Sequence, residues 1–346
     1  MFCIIFTVVS SFADGVPSVN KHTDERSRCS RFGATESRTF IRADCTVRVC
    51  TTNGQSRSTV SSSQWTGRRD TSPVTCSAVQ SRSSSTPGFR RTTRRRRPHV
   101  DHIGQVQTVL DAGNPTVHAP ATVRERLTQD ATALGHRVRE NVTTAGLTGD
   151  AADAEVESAV ESLERNRRLL PPETVDEWLT PGAVSFGSIS ATAVHTPGHQ
   201  ADHLAYLLDC DGDTVLLSGD TAMEPFRAVV LHDGMDDGHA EAFEASFTAL
   251  DRLEQYDPDR VFAGHGEPHS QFHEILARDR RRLDRRLDAI EELVTDGFST
   301  VPEVATELAR GRDPRYMYAE TMSGLAHLDG TDRIESELVD GVRRYE

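Results

Sequence analysis

Four short segments carry residue types that can hold a metal ion: HVDH at 99–102, HTPGH at 195–199, SGD at 218–220 and AGHG at 263–266. Imidazole nitrogens and carboxylate oxygens suit a borderline divalent ion, with zinc the first candidate and iron or manganese also compatible. In the last three segments the polar residue follows an apolar, strand-like stretch and sits beside Gly or Pro. Turns of that kind bring side chains from separate strands to one edge of a sheet. A carboxylate placed there, Asp220 above all, can bridge two ions ~3.5–4 Å apart, so that a shared water ionises near neutral pH. Asp101 can hold an ion or orient that nucleophile. Asp101 and Asp220 are therefore the candidate catalytic carboxylates. A single His beside Gly is an ordinary loop residue; four such segments in this order form a constellation.

The elements that must position these residues follow from periodicity. Residues 99–113 read as a loop and a helix ending at Gly113, and 115–120 as a short strand. Residues 121–142 read as one helix, with another centred in 143–172. Alternation at 183–187 and 190–194 predicts strands, and 203–220 reads as a hairpin around an Asp/Gly turn. An amphipathic helix over 240–256 precedes a short strand at 259–264. Strands alternating with helices predict an α/β layered domain. Beyond it, 268–297 is a long helical pattern whose exposed face would pair Arg280 with Asp284 and Arg285 with Asp288. A capped helix over 299–311, a third over 316–328 and a ribbon over 332–346 turning at Asp340-Gly341 complete the chain. His195 and His203 read as structural, and His232, His239, His269 and His273 as surface residues. Phe226 and the segment after Asp220 are candidate pocket-lining residues.

This set resembles the metallo-β-lactamase fold superfamily, whose pattern runs HxHxDH, a His in TPGH, a strand-end Asp and a His in GHG. HTPGHQADH (195–203) and LLSGDTA (216–222) look most like its glyoxalase II and lactamase-beta-2-like branch. The resemblance covers about residues 98–270. It implies an α/β (α+β) fold, a four-layer αββα sandwich with two divalent ions on its upper edge. His99 and His199 would bind the first ion, Asp101, His102 and His265 the second, and Asp220 would bridge. Residues 271–346, helices followed by a ribbon, resemble the small winged-helix extension of that branch. The family's first His falls at position 97, which here is Arg97. A guanidinium offers no lone pair to a metal.

Composition divides the chain at that point. Residues 1–97 hold 17 Lys+Arg and 6 Asp+Glu, a balance of +11; residues 98–346 hold 22 and 47, a balance of −25. The first part is Ser/Thr/Arg-rich without sustained period, so it predicts no packed core. Asp codons read one base out of frame yield Thr and Arg, so a shifted reading frame accounts for such a stretch beside an Asp-rich domain. Five of six cysteines lie in the first part and only Cys210 in the second, which excludes an internal disulfide framework for 98–346. Lys21 is the chain's single lysine; carboxylates with so few lysines suit a surface hydrated in high salt, or a GC-rich codon bias.

No run of 18 apolar residues exists, which excludes a membrane-spanning helix. No positive residue precedes the apolar run Met1–Ala13, which argues against a signal peptide. The expected protein is a cytoplasmic metal-dependent hydrolase, open to homodimer formation, acting on an ester, thioester or related small acyl compound. No cofactor other than the two ions is implied. An RNA phosphodiesterase of the same fold is the alternative, disfavoured by the acidic surface. A non-functional product with a damaged first half is the third reading.

Overall fold

The computed structural model describes residues 5–9, 65–66, 74–78, 102–104, 106–113, 115–210 and 212–346. His99, Asp101 and Arg97 lie outside the described residues, as does most of the segment expected to pack no core. Within that segment the structure gives three short strands, β1 (Ile5–Val9), β2 (Trp65–Thr66) and β3 (Val74–Ala78), which the sequence pattern did not announce. After them come α1 (Val106–Ala112) and β4 (Thr116–Pro120). Strand β1 pairs antiparallel with both β3 and β4.

The stretch expected as a single helix over 121–142 is two, α2 (Ala121–Thr128) and α3 (Ala131–Thr144). Apolar spacing runs through the break, but capping overrides it. Gln129 is extended, and the Asp130 carboxylate accepts the Ala133 N–H at 2.7 Å, starting a new helix. At the end of α2 the Leu127 carbonyl accepts from Arg167 at 2.5 Å, and just past the helix Gln129 O accepts from the same guanidinium. Arg167 belongs to α4 (Gly149–Leu169), which leads to β5 (Glu177–Leu179), parallel to β4.

A second sheet follows: β6 (Gly182–Phe186), β7 (Ile189–His195), β8 (Leu204–Cys210), β9 (Asp213–Gly219) and, after α5 (Ala242–Glu254), β10 (Arg260–Ala263). The strand orders are β2-β3-β1-β4-β5 and β10-β9-β8-β7-β6. The period-two pleat sorts this second sheet onto two cores. Val194, Ala205, Leu216 and Val261 face a helical core with Phe243 and Leu253 of α5. Their neighbours Ala193, Leu204, Tyr206, Leu217 and Phe262 pack with Leu179 of β5. On the far side of β4, Val117 and Ala119 pack with Val106, Val123 and Leu127 of α1 and α2. The result is a mixed α/β sandwich of helix, sheet, sheet and helix.

The chain ends in α6 (Phe272–Thr295), α7 (Val301–Ala309), α8 (Tyr318–Gly330) and the ribbon β11 (Ser336–Val339) and β12 (Val342–Tyr345). Thr300 and Glu303 form a reciprocal capping box on α7. Asp340 and Gly341 both take positive φ, +51° and +82°, as a tight two-residue ribbon turn requires. Ile275, Leu276, Leu283, Leu287, Ile290 and Val294 give α6 an apolar stripe that joins the helical core. The surface pairs expected within α6 are replaced by pairs across elements. Arg280 bonds Asp251 of α5, and Asp288 accepts from Arg333 at 2.9 Å.

Candidate metal centre

Each strand of the second sheet that leads to the site ends in a turn held by hydrogen bonds. Strand β7 ends at His195, and residues 196–203 return the chain into β8. The loop is closed by Thr196 N–H donating to His203 O at 2.9 Å. His195 serves as scaffold: its Nε2 lies 2.7 Å from Ala201 O and its Nδ1 3.0 Å from an Arg252 nitrogen. His203 is 1% exposed and also scaffold. Its Nε2 accepts the Asp220 N–H at 3.1 Å, so its proton sits on Nδ1, which faces Thr196 Oγ1 at 2.6 Å. Burial, then the neighbouring His199, pushes its pKa well below the ordinary value, matching that neutral tautomer.

Gly198, at φ +124°, allows the loop to present His199. The His199 ring is buried, and its Nδ1–H donates to Val229 O at 2.8 Å. That bond places the ring's lone pair on Nε2, which faces Asp220 Oδ2 at 3.3 Å. A metal-binding imidazole is oriented in this way by an acceptor on its other nitrogen. Strand β9 ends at Gly219, at φ +54°, and turns Asp220 inward. Next to it, β10 ends with a register shift, and Gly264 N–H donates to Gly219 O at 2.5 Å. A Cβ on Gly264 would strike the Asp220 carboxylate and come within 2.8 Å of the His102 ring. Glycine is required there by close approach, and it delivers His265 to the site.

The two carboxylate oxygens of Asp220 divide the imidazoles between them. Oδ1 lies 3.4 Å from His102 Nε2 and 3.6 Å from His265 Nε2, while Oδ2 faces His199. His102 Nε2 and His265 Nε2 are 3.4 Å apart. A tetrahedral ion with N and O ligands at about 2.0–2.1 Å has ligand–ligand edges of about 3.3–3.4 Å. The donor types and the separations, 3.3 to 3.6 Å, therefore fit a divalent metal. His102, Asp220 and His265 form one group of potential ligand atoms all within 4.8 Å of one another. Of the sequence-derived ligands, the structure brings together His102, His199, Asp220 and His265; His99 and Asp101 fall outside the described residues.

Several supporting residues carried no sequence signal. Buried Asp202 accepts from Arg126 Nε at 2.9 Å, and the same guanidinium reaches Asp233 at 2.5 Å. Arg126 thereby ties the histidine loop to the segment after Asp220, with its own pKa raised; burial alone opposes that rise, but the two carboxylates outweigh it. His232, expected on the surface, is 7% exposed. Its N–H and that of Leu231 both donate to Gly198 O, which draws the ring inward. His269 and His239 are half-buried, and His273 is exposed as expected. Beside His199 opens a narrow cleft whose wall includes Arg227, Val229, Leu250, Asp279 and Leu283. Phe226, expected at a pocket, is 52% exposed next to it in sequence.

Residues 98–265 match the family model described as metallo-beta-lactamase superfamily. Among solved structures, a metallo-beta-lactamase family protein from Thermus thermophilus is 26% identical, with a TM-score of 0.43 over 49% of this chain and 53% of that one. A beta-lactamase domain protein from Burkholderia ambifaria is 25% identical, with a TM-score of 0.43 over 49% and 51%. An archaeal metallo-beta-lactamase superfamily protein from Sulfolobus tokodaii is 22% identical, with a TM-score of 0.33 over 55% and 65%. The alignments thus span about half the length of the first two relatives. No curated protein matches the chain.

Proposed function

We propose, from the match of residues 98–265 to the metallo-beta-lactamase superfamily model, that the chain is a metal-dependent hydrolase of small acyl substrates: esters, thioesters or lactones. The observation that carries this reading is the convergence of three imidazoles from separate elements on the two oxygens of one buried carboxylate, Asp220. His102, Asp220 and His265 would hold one ion. His199 and the second oxygen of Asp220 would contribute to another, with His99 and Asp101 assigned from sequence. Divalent ions bound there would supply the Lewis acidity that yields a hydrolytic nucleophile from water near neutral pH and stabilises charge on an acyl oxygen.

The chain's own residues do the rest. Val229 O fixes the tautomer of His199, the Asp220 N–H is pinned by His203, and Gly264 leaves room for the carboxylate. No Ser or Cys nucleophile is required. Among the described residues, no helix is long and apolar enough to cross a membrane. The balance of −25 over residues 98–346 repels a polyanion, which favours acyl compounds over RNA.

The test is metal analysis together with a panel of thioesters, lactones and one structured RNA, each run before and after chelation. The expected result is zinc bound at the His102, Asp220 and His265 group, a second ion taken up more weakly unless an intact upstream segment is restored, and chelator-sensitive acyl hydrolysis. Cleavage of the RNA alone, lost on chelation, would reverse the substrate assignment. A chain that binds no divalent ion would overturn the reading altogether.

A further inference from the structure

The segment that supports His199 is gripped from outside the superfamily domain. Residues 223–232 run from the strand-end Asp220 past Val229, whose carbonyl orients the His199 ring. Arg278 of α6 donates to Met223 O at 2.6 Å and Phe226 O at 2.8 Å, and also bonds Glu224. Arg227 spans the gap between this segment and α8. Its Nη1 donates to Ala228 O at 2.9 Å, beside Val229, and its Nη2 donates to Glu320 Oε1 at 2.6 Å. Glu320 is 2% exposed in the first turn of α8, on its inward-packed side, with Arg286 of α6 as a second cation at 3.5 Å.

A carboxylate so buried is destabilising unless it is paired, so what the protein gains from placing it is what the pairing achieves. Here the pair clamps the guanidinium that holds the backbone at Ala228, one residue from the acceptor that orients a metal ligand.

We propose that Glu320 is a positioning residue: through Arg227 it holds the 227–229 backbone so that Val229 O fixes His199 with Nε2 facing Asp220. The C-terminal helices thereby complete the metal centre. This inference rests on the metal-centre reading above for its consequence, but its structural core, the orientation of His199, exists without metal.

Two variants of the full chain test it. Glu320→Gln removes the charge and keeps the shape. Arg227→Met/Glu320→Met replaces the buried pair with apolar groups, an exchange that can preserve stability while abolishing the clamp. The first readout is the imidazole nitrogen shifts of His199 in the metal-free chain. The unaltered chain should show a fixed Nδ1–H tautomer, and both variants should show averaged tautomers. The second readout is zinc titration. Zinc held with His199 should bind about 10–100-fold more weakly, while the His102–His265 ion keeps its affinity, as expected when an outer support of a ligand is lost.

A purely structural pair would lower the melting temperature of Glu320→Gln and leave the His199 shifts unchanged. That result overturns the proposal, as does equal weakening of both ions or failure of both variants to fold. If the unaltered chain takes up no zinc, the hydrolase reading falls, and the His199 shifts still decide this proposal.

Discussion

Asp220 and His203 meet through the backbone: the Asp220 N–H donates to His203 Nε2 at 3.1 Å, in a pocket where both residues are at most 4% exposed. The imidazole is therefore a fixed acceptor rather than a ligand, and it sets the angle at which the carboxylate leaves β9. His203→Ala should leave the buried Asp220 N–H without its partner, costing about 1–3 kcal/mol of stability. Metal content should fall less than on loss of a ligand. Thermal melting with metal analysis checks this; metal loss as complete as for an Asp220 variant would make His203 a ligand.

Asp220→Ala and Asp220→Asn bear on the bridge itself. Ala removes both oxygens, and Asn keeps the shape but not the charge that faces three imidazoles. Activity and bound metal should fall together in each. Full activity with unchanged metal content in either variant would remove Asp220 from the centre.

Gly264→Ala is the smallest change that should break the site. The added methyl would overlap the Asp220 carboxylate and press on His102. Neither neighbour is the free end of a flexible surface chain, so the carboxylate must turn away. The expected outcome is a folded protein with severely reduced metal binding. Wild-type zinc affinity in a folded Gly264→Ala chain would contradict the geometry.

The four residues that converge in the structure, His102, His199, Asp220 and His265, were legible because each stands at a strand end or turn beside Gly or Pro, or in a His/Asp cluster, a local signal that survives without tertiary knowledge. The supports were not. Asp202 lies within the motif at 195–203, yet its partner Arg126 sits on α2, and nothing local joins them. His232 lies in a polar run and is buried only because the segment after Asp220 folds back onto Gly198. The expected pairing of Arg280 with Asp284 failed for a related reason. A neighbouring helix offers Asp251 and Glu254 together, and two carboxylates outweigh one at helical spacing. The break between α2 and α3 needed the Asp130 cap to be weighed above a continuous apolar stripe.

The alkaline limb of stability should be shaped by Tyr345 of the terminal ribbon. Burial pushes its pKa from 10.0 up to about 12. The neutral phenol is thus favoured in the fold. Its contribution is fully present below the unfolded value and is lost as pH rises from about 10 through 12, at no more than about 1.4 kcal/mol per pH unit. Denaturant unfolding between pH 8 and 12 should show that fall, and Tyr345→Phe should flatten it. An unchanged slope in the variant would place the titration elsewhere.

Arg97 bears on the chain's first half. It occupies the slot where the family pattern has its first histidine, and it stands where the charge balance changes from +11 to −25. A guanidinium offers no lone pair, and in that slot it would add a positive charge near the proposed ions. The ion assigned to His99 and His199 should therefore bind weakly, and the His102, Asp220 and His265 group should be less affected. Arg97→His alone should restore little, because one new ligand leaves unchanged the Ser/Thr/Arg-rich sequence of residues 1–96, in which the described strands β1, β2 and β3 are short. Restoring an in-frame upstream segment should recover an acidic, strand-patterned half and a His at this slot together, with the weak ion regained on titration. The nucleotide sequence upstream of the Pro98 codon decides between the two accounts. If no other frame there encodes alternating apolar stretches and a His before Pro98, the shifted-frame explanation fails and the Arg-rich segment is native.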